Sequence, residues 1–236
     1  MKLKLIVTYK DESHKILRII SLLEIFTPKH IFIELLVIDD SSDIPFTKAF
    51  LEEIEEIRSD WSSKNWSIST KRNRSNQGIG KIFLENLDFD SDYYAMLSGD
   101  LRITENAFCN SLNLIGEHDI IIVKNASMVG TRRKLSNLYS WLCSIFIGIH
   151  ISSFTGFTIY STHDLKKVLP IKSGHAIHVY SISRIAKVKK ISIGTISADF
   201  EKRSGHGTSS GLRLRSIMQL MFAFLEVIAL KWRRKA

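Results

Sequence analysis

Apolar runs of strand length alternate with helix-period segments along the first half of this chain, and that alternation leaves few architectures open. Residues 3–8 and 34–39 are nearly continuous apolar runs, as expected of central parallel strands buried on both faces. Between them Asp11 or Ser13 can cap a helix over residues 13–26, whose Ile16, Ile19, Ile20 and Leu23 recur on one face. The result is a βαβ unit. The alternation continues with a helix over 46–58, a strand over 66–71, a helix over 79–87, a strand over 93–97, a helix over 104–115 and a strand over 119–123. This order predicts an α/β domain built on a mostly parallel sheet flanked by helices. The second half is less regular. It holds an apolar helix over 135–149, strands over 155–160 and 190–199 around a helix over about 174–188, and a closing apolar stretch from Leu212 to Trp232.

Three of the early strands run into acidic clusters: Tyr9-Lys10-Asp11-Glu12, Asp39-Asp40-Ser41-Ser42-Asp43 and Ser98-Gly99-Asp100. In open α/β sheets, ligands bind beyond the carboxyl ends of the strands. Carboxylates gathered there can hold a hard divalent cation, Mg²⁺ or Mn²⁺, against a diphosphate. Each cluster also has a plainer use as a helix cap. Thr104 caps the helix after Asp100 better than Asp100 does, and Ser42 or Asp43 can cap the one after Asp39-Asp40. Glu12 reads as a first-turn charge suited to the helix dipole.

In sequence order these segments resemble the family 2 glycosyltransferases of GT-A fold, especially the dolichol- and polyprenyl-phosphate sugar transferases. Thr8-Tyr9-Lys10-Asp11 is similar to that family's Thr-Tyr-Asn-Glu, and Asp39-Asp40-Ser41-Ser42-Asp43 to its Asp-Asp-Gly-Ser-x-Asp. Asn76-Gln77-Gly78-Ile79-Gly80 resembles its Asn-x-Gly-x-Gly turn, and Ser98-Gly99-Asp100-Leu101 its Asp-x-Asp-Leu metal motif. Thr155-Gly156-Phe157-Thr158-Ile159-Tyr160 and Arg203 through Gly211 fall on two later motifs, so the likeness runs from residue 5 to about 211. It implies a GT-A glycosyltransferase domain over 1–211, followed by a basic amphipathic helix over 212–236. It further implies an inverting hexosyl transfer from a nucleoside diphosphate sugar. Tyr9, Asp11, Asp39, Asp40 and Gly99 would hold the nucleotide, Asp100 would hold the metal, and Arg203 with Arg132 or Arg133 would meet phosphate charge. Guanidinium forks suit phosphate.

Two departures matter. Ser98 replaces the first Asp of the metal motif, which removes a negative charge and puts strict dependence on Mg²⁺ or Mn²⁺ in doubt. Ser209 stands where the family has Lys. Between Leu165 and Ser197 there is no Asp or Glu. Hydroxyl-directed members of the family it resembles carry a base carboxylate in about this part of the chain, because transfer onto a sugar hydroxyl needs a base; a phosphate acceptor is already anionic, so by that resemblance the gap favours a lipid-phosphate acceptor. Asp164 and Asp199 border the gap, and His175 and His178 lie inside it. The alternatives are a transferase acting on a sugar hydroxyl in surface polysaccharide synthesis and a non-catalytic relative with a membrane-binding tail.

Composition bounds the rest. A chain of 236 residues with 44% hydrophobic and 24% charged residues is a folded globular protein of one domain. Cys109 and Cys143 lack the spacing of a disulfide framework or metal site and read as reduced thiols, and no signal-peptide pattern opens the sequence. The expected setting is cytoplasmic, at the inner face of the cytoplasmic membrane. Residues 202–236 hold eight Lys/Arg against the single acid Glu226, which is +7 of the net +9. No zinc-finger or RNA-binding signature accompanies that charge, so nucleic acid is the least favoured partner. The final apolar helix is too short to span a bilayer. Its flanking cations and Trp232 suit a membrane interface as well as a helix packed on the domain.

Overall fold

The computed structural model describes residues 1–9, 14–42, 48–59, 65–98, 103–154, 156–170, 176–188, 190–200 and 214–232. Among the described residues there are seven strands: β1 (Lys2–Tyr9), β2 (Phe32–Asp39), β3 (Trp66–Arg72), β4 (Tyr93–Ser98), β5 (Ile120–Asn125), β6 (Phe157–Ser161) and β7 (Ile193–Ala198). The helices are α1 (His14–Phe26), α2 (Lys48–Ser59), α3 (Ile79–Glu85), α4 (Glu105–Asn113), α5 (Gly130–Ile147), α6 (Thr162–Val168), α7 (Ile177–Val188) and α8 (Leu214–Trp232). One sheet in the order β3-β2-β1-β4-β6-β5-β7 joins all seven strands. Only β6 runs against its neighbours, pairing antiparallel with both β4 and β5.

The two-residue period of the strands sorts side chains onto two cores. On β1, Leu3, Leu5, Val7 and Tyr9 face one cluster with α1, α2 and α4, while Ile6 joins the other with α3 and α5–α8. Central strands buried on both faces explain why β1 and β2 read as continuous apolar runs. Among the strands, Ile6 and Val7 are both fully buried, on opposite faces. On α1, Ile16, Ile19, Ile20 and Leu23 form the buried stripe that their spacing predicts.

The sheet is mostly parallel, as expected, with β6 the one reversed strand among those described. Two features depart from the sequence expectation. Helix α5 begins at Gly130, five residues early, so Arg132 and Arg133 stand on its exposed first turns. Helix α6, which follows β6 without an intervening loop, has no counterpart in the sequence reading. The final helix α8 packs on the domain: Ala223 and Val227 are buried in the second core. Among the described residues no helix is long and apolar enough to cross a membrane.

Candidate functional site

The carboxyl ends of β2, β1 and β4 lie side by side. Tyr9 pairs in register with Asp39, Asp39 with Arg72, and Thr8 with Ser98. The three acidic clusters of the sequence therefore issue from adjacent strands at one edge of the sheet, where an open α/β sheet binds ligands.

Asp39 and Asp40, at and just after the end of β2, are both withdrawn from solvent, at 0% and 6% exposure. Asp39 Oδ1 accepts the backbone N–H of Ser42 at 2.8 Å, which turns the chain back after β2 through Ser41 at φ 66°. Its Oδ2 lies 3.2 Å from Arg72 Nε, an ion pair at the mouth of the edge, and Arg72 Nη2 donates to the Ser42 carbonyl at 3.2 Å. Asp40 is more heavily engaged. Its Oδ1 accepts from Asn73 Nδ2 at 3.0 Å and from the Gln77 N–H at 2.9 Å, and its Oδ2 accepts from the Gly78 N–H at 2.9 Å. The Asp40 N–H in turn donates to the Tyr9 carbonyl at 3.0 Å. Asp40 thus ties three segments: its N–H holds β1, and its carboxylate holds the residue after β3 and the turn that starts α3. Gly78 adopts φ 78°, a left-handed conformation that favours glycine, which accounts for the glycine of this turn.

The resemblance gives Tyr9 and Asp40 contacts to a nucleotide; the structure describes their contacts within the chain. Tyr9 is 3% exposed and its ring belongs to the core cluster of α1 and α2. Asp40 holds the adjacent turn with both oxygens. Arg72, half exposed beside Asp39, is a cation that the sequence reading passed over; its signal is a charge at the last position of the third strand. Asp11, Gly99, Asp100 and Arg203 lie outside the described residues.

The described flanks of those segments nevertheless converge. Ile103, just after the Asp100 segment, forms an antiparallel bridge with Phe200, just before the Arg203 segment. The Phe200 N–H donates to Ser127 Oγ at 3.1 Å, and the Ala126 N–H to the Ala198 carbonyl at 2.8 Å. Ser127 precedes α5, which carries Arg132 and Arg133. Segments from three distant parts of the sequence are clamped together at the carboxyl edge of β5 and β7. Gly156 serves the same edge: at φ 122° it passes so close to β5 that a Cβ would lie 2.2 Å from the Val123 carbonyl oxygen. The Gly of the Thr155-Gly156-Phe157 motif is required by that approach.

Two residues weighed as bases lie elsewhere. Since β6 is antiparallel, Ser161 pairs with Tyr93 at the start of β4, so Asp164 follows at the amino edge, away from the site. His178 Nδ1 meets the Tyr160 hydroxyl at 2.6 Å, and Tyr160 pairs with Tyr94 near the same amino edge. Burial pulls His178 down to about 4, so it stays neutral at ordinary pH. Asp199, in contrast, is exposed at the carboxyl end of β7. Cys143 is buried and its thiol is pushed up to about 11, as for an inert core residue. Among the described residues no group of three or more His, Cys, Asp or Glu is placed to hold a metal ion. Asp39 and Asp40 are engaged by the chain itself, through Ser42 and Arg72 and through Asn73, Gln77 and Gly78.

No protein-family model matches the sequence, and no curated protein matches it. Solved structures do. Residues 1–349 of S. aureus TarS in complex with UDP-GlcNAc align at 16% identity over 98% of this chain and 69% of that one, with a TM-score of 0.60. Glucosyl-3-phosphoglycerate synthase from Mycobacterium tuberculosis, with Mg²⁺ and UDP, aligns at 14% identity over 97% and 79%, with a TM-score of 0.64. The same enzyme with Mn²⁺, UDP-glucose and phosphoglyceric acid gives 13%, 97%, 80% and 0.63. These are glycosyltransferases of GT-A type, and this chain has their fold.

Proposed function

We propose that this chain is an inverting family 2 glycosyltransferase that moves a hexosyl group from a nucleoside diphosphate sugar to a polyprenyl phosphate. The observation that carries the reading is the adjacency of three acidic strand ends, on a fold shared with proteins that bind UDP and UDP-sugars. The nucleotide lies across the carboxyl ends of β1, β2 and β4. Asp40 gives the turn through Gly78 its shape, and Asp11 and Gly99 contact the donor. A Mg²⁺ or Mn²⁺ ion at Asp100, when bound, supplies charge against the diphosphate. The acceptor phosphate oxygen attacks the anomeric carbon as the bond to the diphosphate oxygen breaks on the opposite face. The nucleoside diphosphate leaves with the electron pair, so no proton need be removed. Arg203, with Arg132 or Arg133 from the start of α5, neutralises the charge on the phosphates.

A second reading, transfer to a sugar hydroxyl, is favoured by one observation. Asp199 is exposed at the carboxyl end of β7, next to the Phe200 clamp, where a base would be needed. The discriminating experiment is transfer by the purified chain across a panel of nucleotide sugars, with polyprenyl phosphate or a sugar acceptor, and with Mg²⁺, Mn²⁺ or EDTA. Polyprenyl-phosphate-dependent turnover that survives Asp199→Asn and is abolished by Asp100→Ala supports the first reading. Turnover on a hydroxyl that falls about 10²–10⁴-fold in Asp199→Asn supports the second. Full activity of Asp100→Ala under saturating donor refutes both.

A further inference from the structure

Helices α5 and α8 pack on each other and share an outer face. Phe224 of α8 sits against Tyr139 and Phe146 of α5, with ring centroids 6.2 and 5.5 Å apart, and the Tyr139 hydroxyl donates to the Leu220 carbonyl at 3.0 Å. Their inner residues, Cys143 and Ile147 on α5 and Ala223 and Val227 on α8, belong to one core cluster. Outward on α5 stand Leu138, Trp141 and Ile145, at 50%, 59% and 47% exposure. Outward on α8 are Met221, Phe222 and Leu225, at 60%, 58% and 57%. With Leu135, Ile217 and Met218, these two helices carry nine of the sixteen exposed large hydrophobics of the described residues. So dense an apolar face is not ordinary surface.

Its charge identifies the occupant. Lys134 heads the same stripe of α5 as Leu138, Trp141 and Ile145, at helical spacings of four, seven and eleven, with exposed Arg132 and Arg133 beside it. Helix α5 contains no Asp or Glu. The one acid of α8, Glu226, is turned inward, where Arg184 Nε donates to it at 2.9 Å. In the sequence, Lys231, Arg233, Arg234 and Lys235 come after Leu230. A second copy of this chain would bring cations against cations, whereas an anionic lipid surface meets them with opposite charge while its acyl boundary takes the apolar side chains.

The geometry points to the α5–α8 face as a docking surface for an anionic membrane, on which both helices lie in the plane of the headgroups. The first turns of α5, with Arg132 and Arg133, emerge from the carboxyl edge of β5, so the docked face runs up to the edge where the donor is proposed to bind. The inference does not rest on the transfer reading, because binding is measured without donor or acceptor.

The test is binding of the full chain to phosphatidylcholine vesicles with and without phosphatidylglycerol, followed by sedimentation and by tryptophan emission, with the oligomeric state taken by analytical ultracentrifugation. The expected result is binding at least about tenfold tighter with phosphatidylglycerol, weakened by high salt. A blue shift in emission should accompany it and be reduced in Trp141→Ser. Each cation near an anionic surface is worth about fivefold, so Lys134→Glu should weaken vesicle binding about tenfold or more. Trp141→Ser with Phe222→Ser should abolish it while leaving thermal unfolding unchanged. Should that double variant unfold, Lys134→Glu alone decides. Binding that is absent, indifferent to phosphatidylglycerol, or unaffected by Lys134→Glu overturns the inference. So does a dimer that the double variant converts to monomer, which would assign the face to a second copy.

Discussion

Replacing Asp40 by Ala separates two roles for this carboxylate. In the structure it accepts three hydrogen bonds, from Asn73 Nδ2 and from the N–H groups of Gln77 and Gly78, at 2.9–3.0 Å and 6% exposure. A hydrogen bond to a charged acceptor is worth about 1.5–3 kcal/mol, so three added independently would reach roughly 5–9 kcal/mol. Gln77 and Gly78 are only partly buried, and their N–H groups recover water once the carboxylate is gone; Asn73 is buried and recovers less. The expected loss is therefore about 2–4 kcal/mol, or roughly 4–16 °C in Tm for a chain of this size. Asp40→Asn keeps the shape but sets an amide N–H₂ against at least one donor, and should lose about half as much. The assay is urea unfolding with and without UDP, reading the midpoint at unchanged m-value. If Asp40→Ala unfolds within about 0.5 kcal/mol of the parent while UDP affinity collapses, Asp40 is a ligand contact and the turn-pinning argument is wrong.

Other expectations follow from the same geometry. Gly156→Ala drives a Cβ into the Val123 carbonyl oxygen and should cost more than about 3 kcal/mol, because the obstacle is backbone; an unchanged melting temperature would contradict it. His178 has a folded pKa of about 4 against 6.5 unfolded, so protonation favours the unfolded chain. Its contribution is whole above about pH 6.5 and drains as pH falls toward 4. Allowing for its partly exposed ring, the loss is about 1–3 kcal/mol. His178→Gln, which can still accept from Tyr160, should flatten the dependence of the urea midpoint across that window; an unaltered slope would remove His178 as its source.

Much of the scaffold was legible because its signals are local. Ile16, Ile19, Ile20 and Leu23 announce α1, and the apolar runs ending at Tyr9, Asp39 and Ser98 announce the three strands that meet at the site. Their adjacency rests on the βαβ habit of parallel sheets, and the observed pairings follow it. What escaped the sequence is what depends on partners far along the chain. No local pattern tells that β6 inserts antiparallel between β4 and β5, and that reversal alone sends Asp164 to the far edge. The pairing of Asp40 with Asn73, Gln77 and Gly78 spans more than thirty residues, and the Ile103–Phe200–Ser127 clamp spans more than seventy. The sequence of helix α8 suits both a packed helix and a membrane interface because it does two things at once, burying Ala223 and Val227 while presenting Met221, Phe222 and Leu225.

The insertion of β6 also sets a timetable for biogenesis. The strands β1 to β4 pair with one another using chain already synthesised, but one side of β4 stays open until β6 emerges. At ordinary ribosomal speed the roughly 60 intervening residues take about 3–12 s. For that interval the nascent chain displays an unpaired apolar edge, the kind of template that recruits foreign strands. Substitutions that slow the closure of β6 onto β4, Gly156→Ala foremost, should therefore lower the yield of soluble protein more than their equilibrium cost implies.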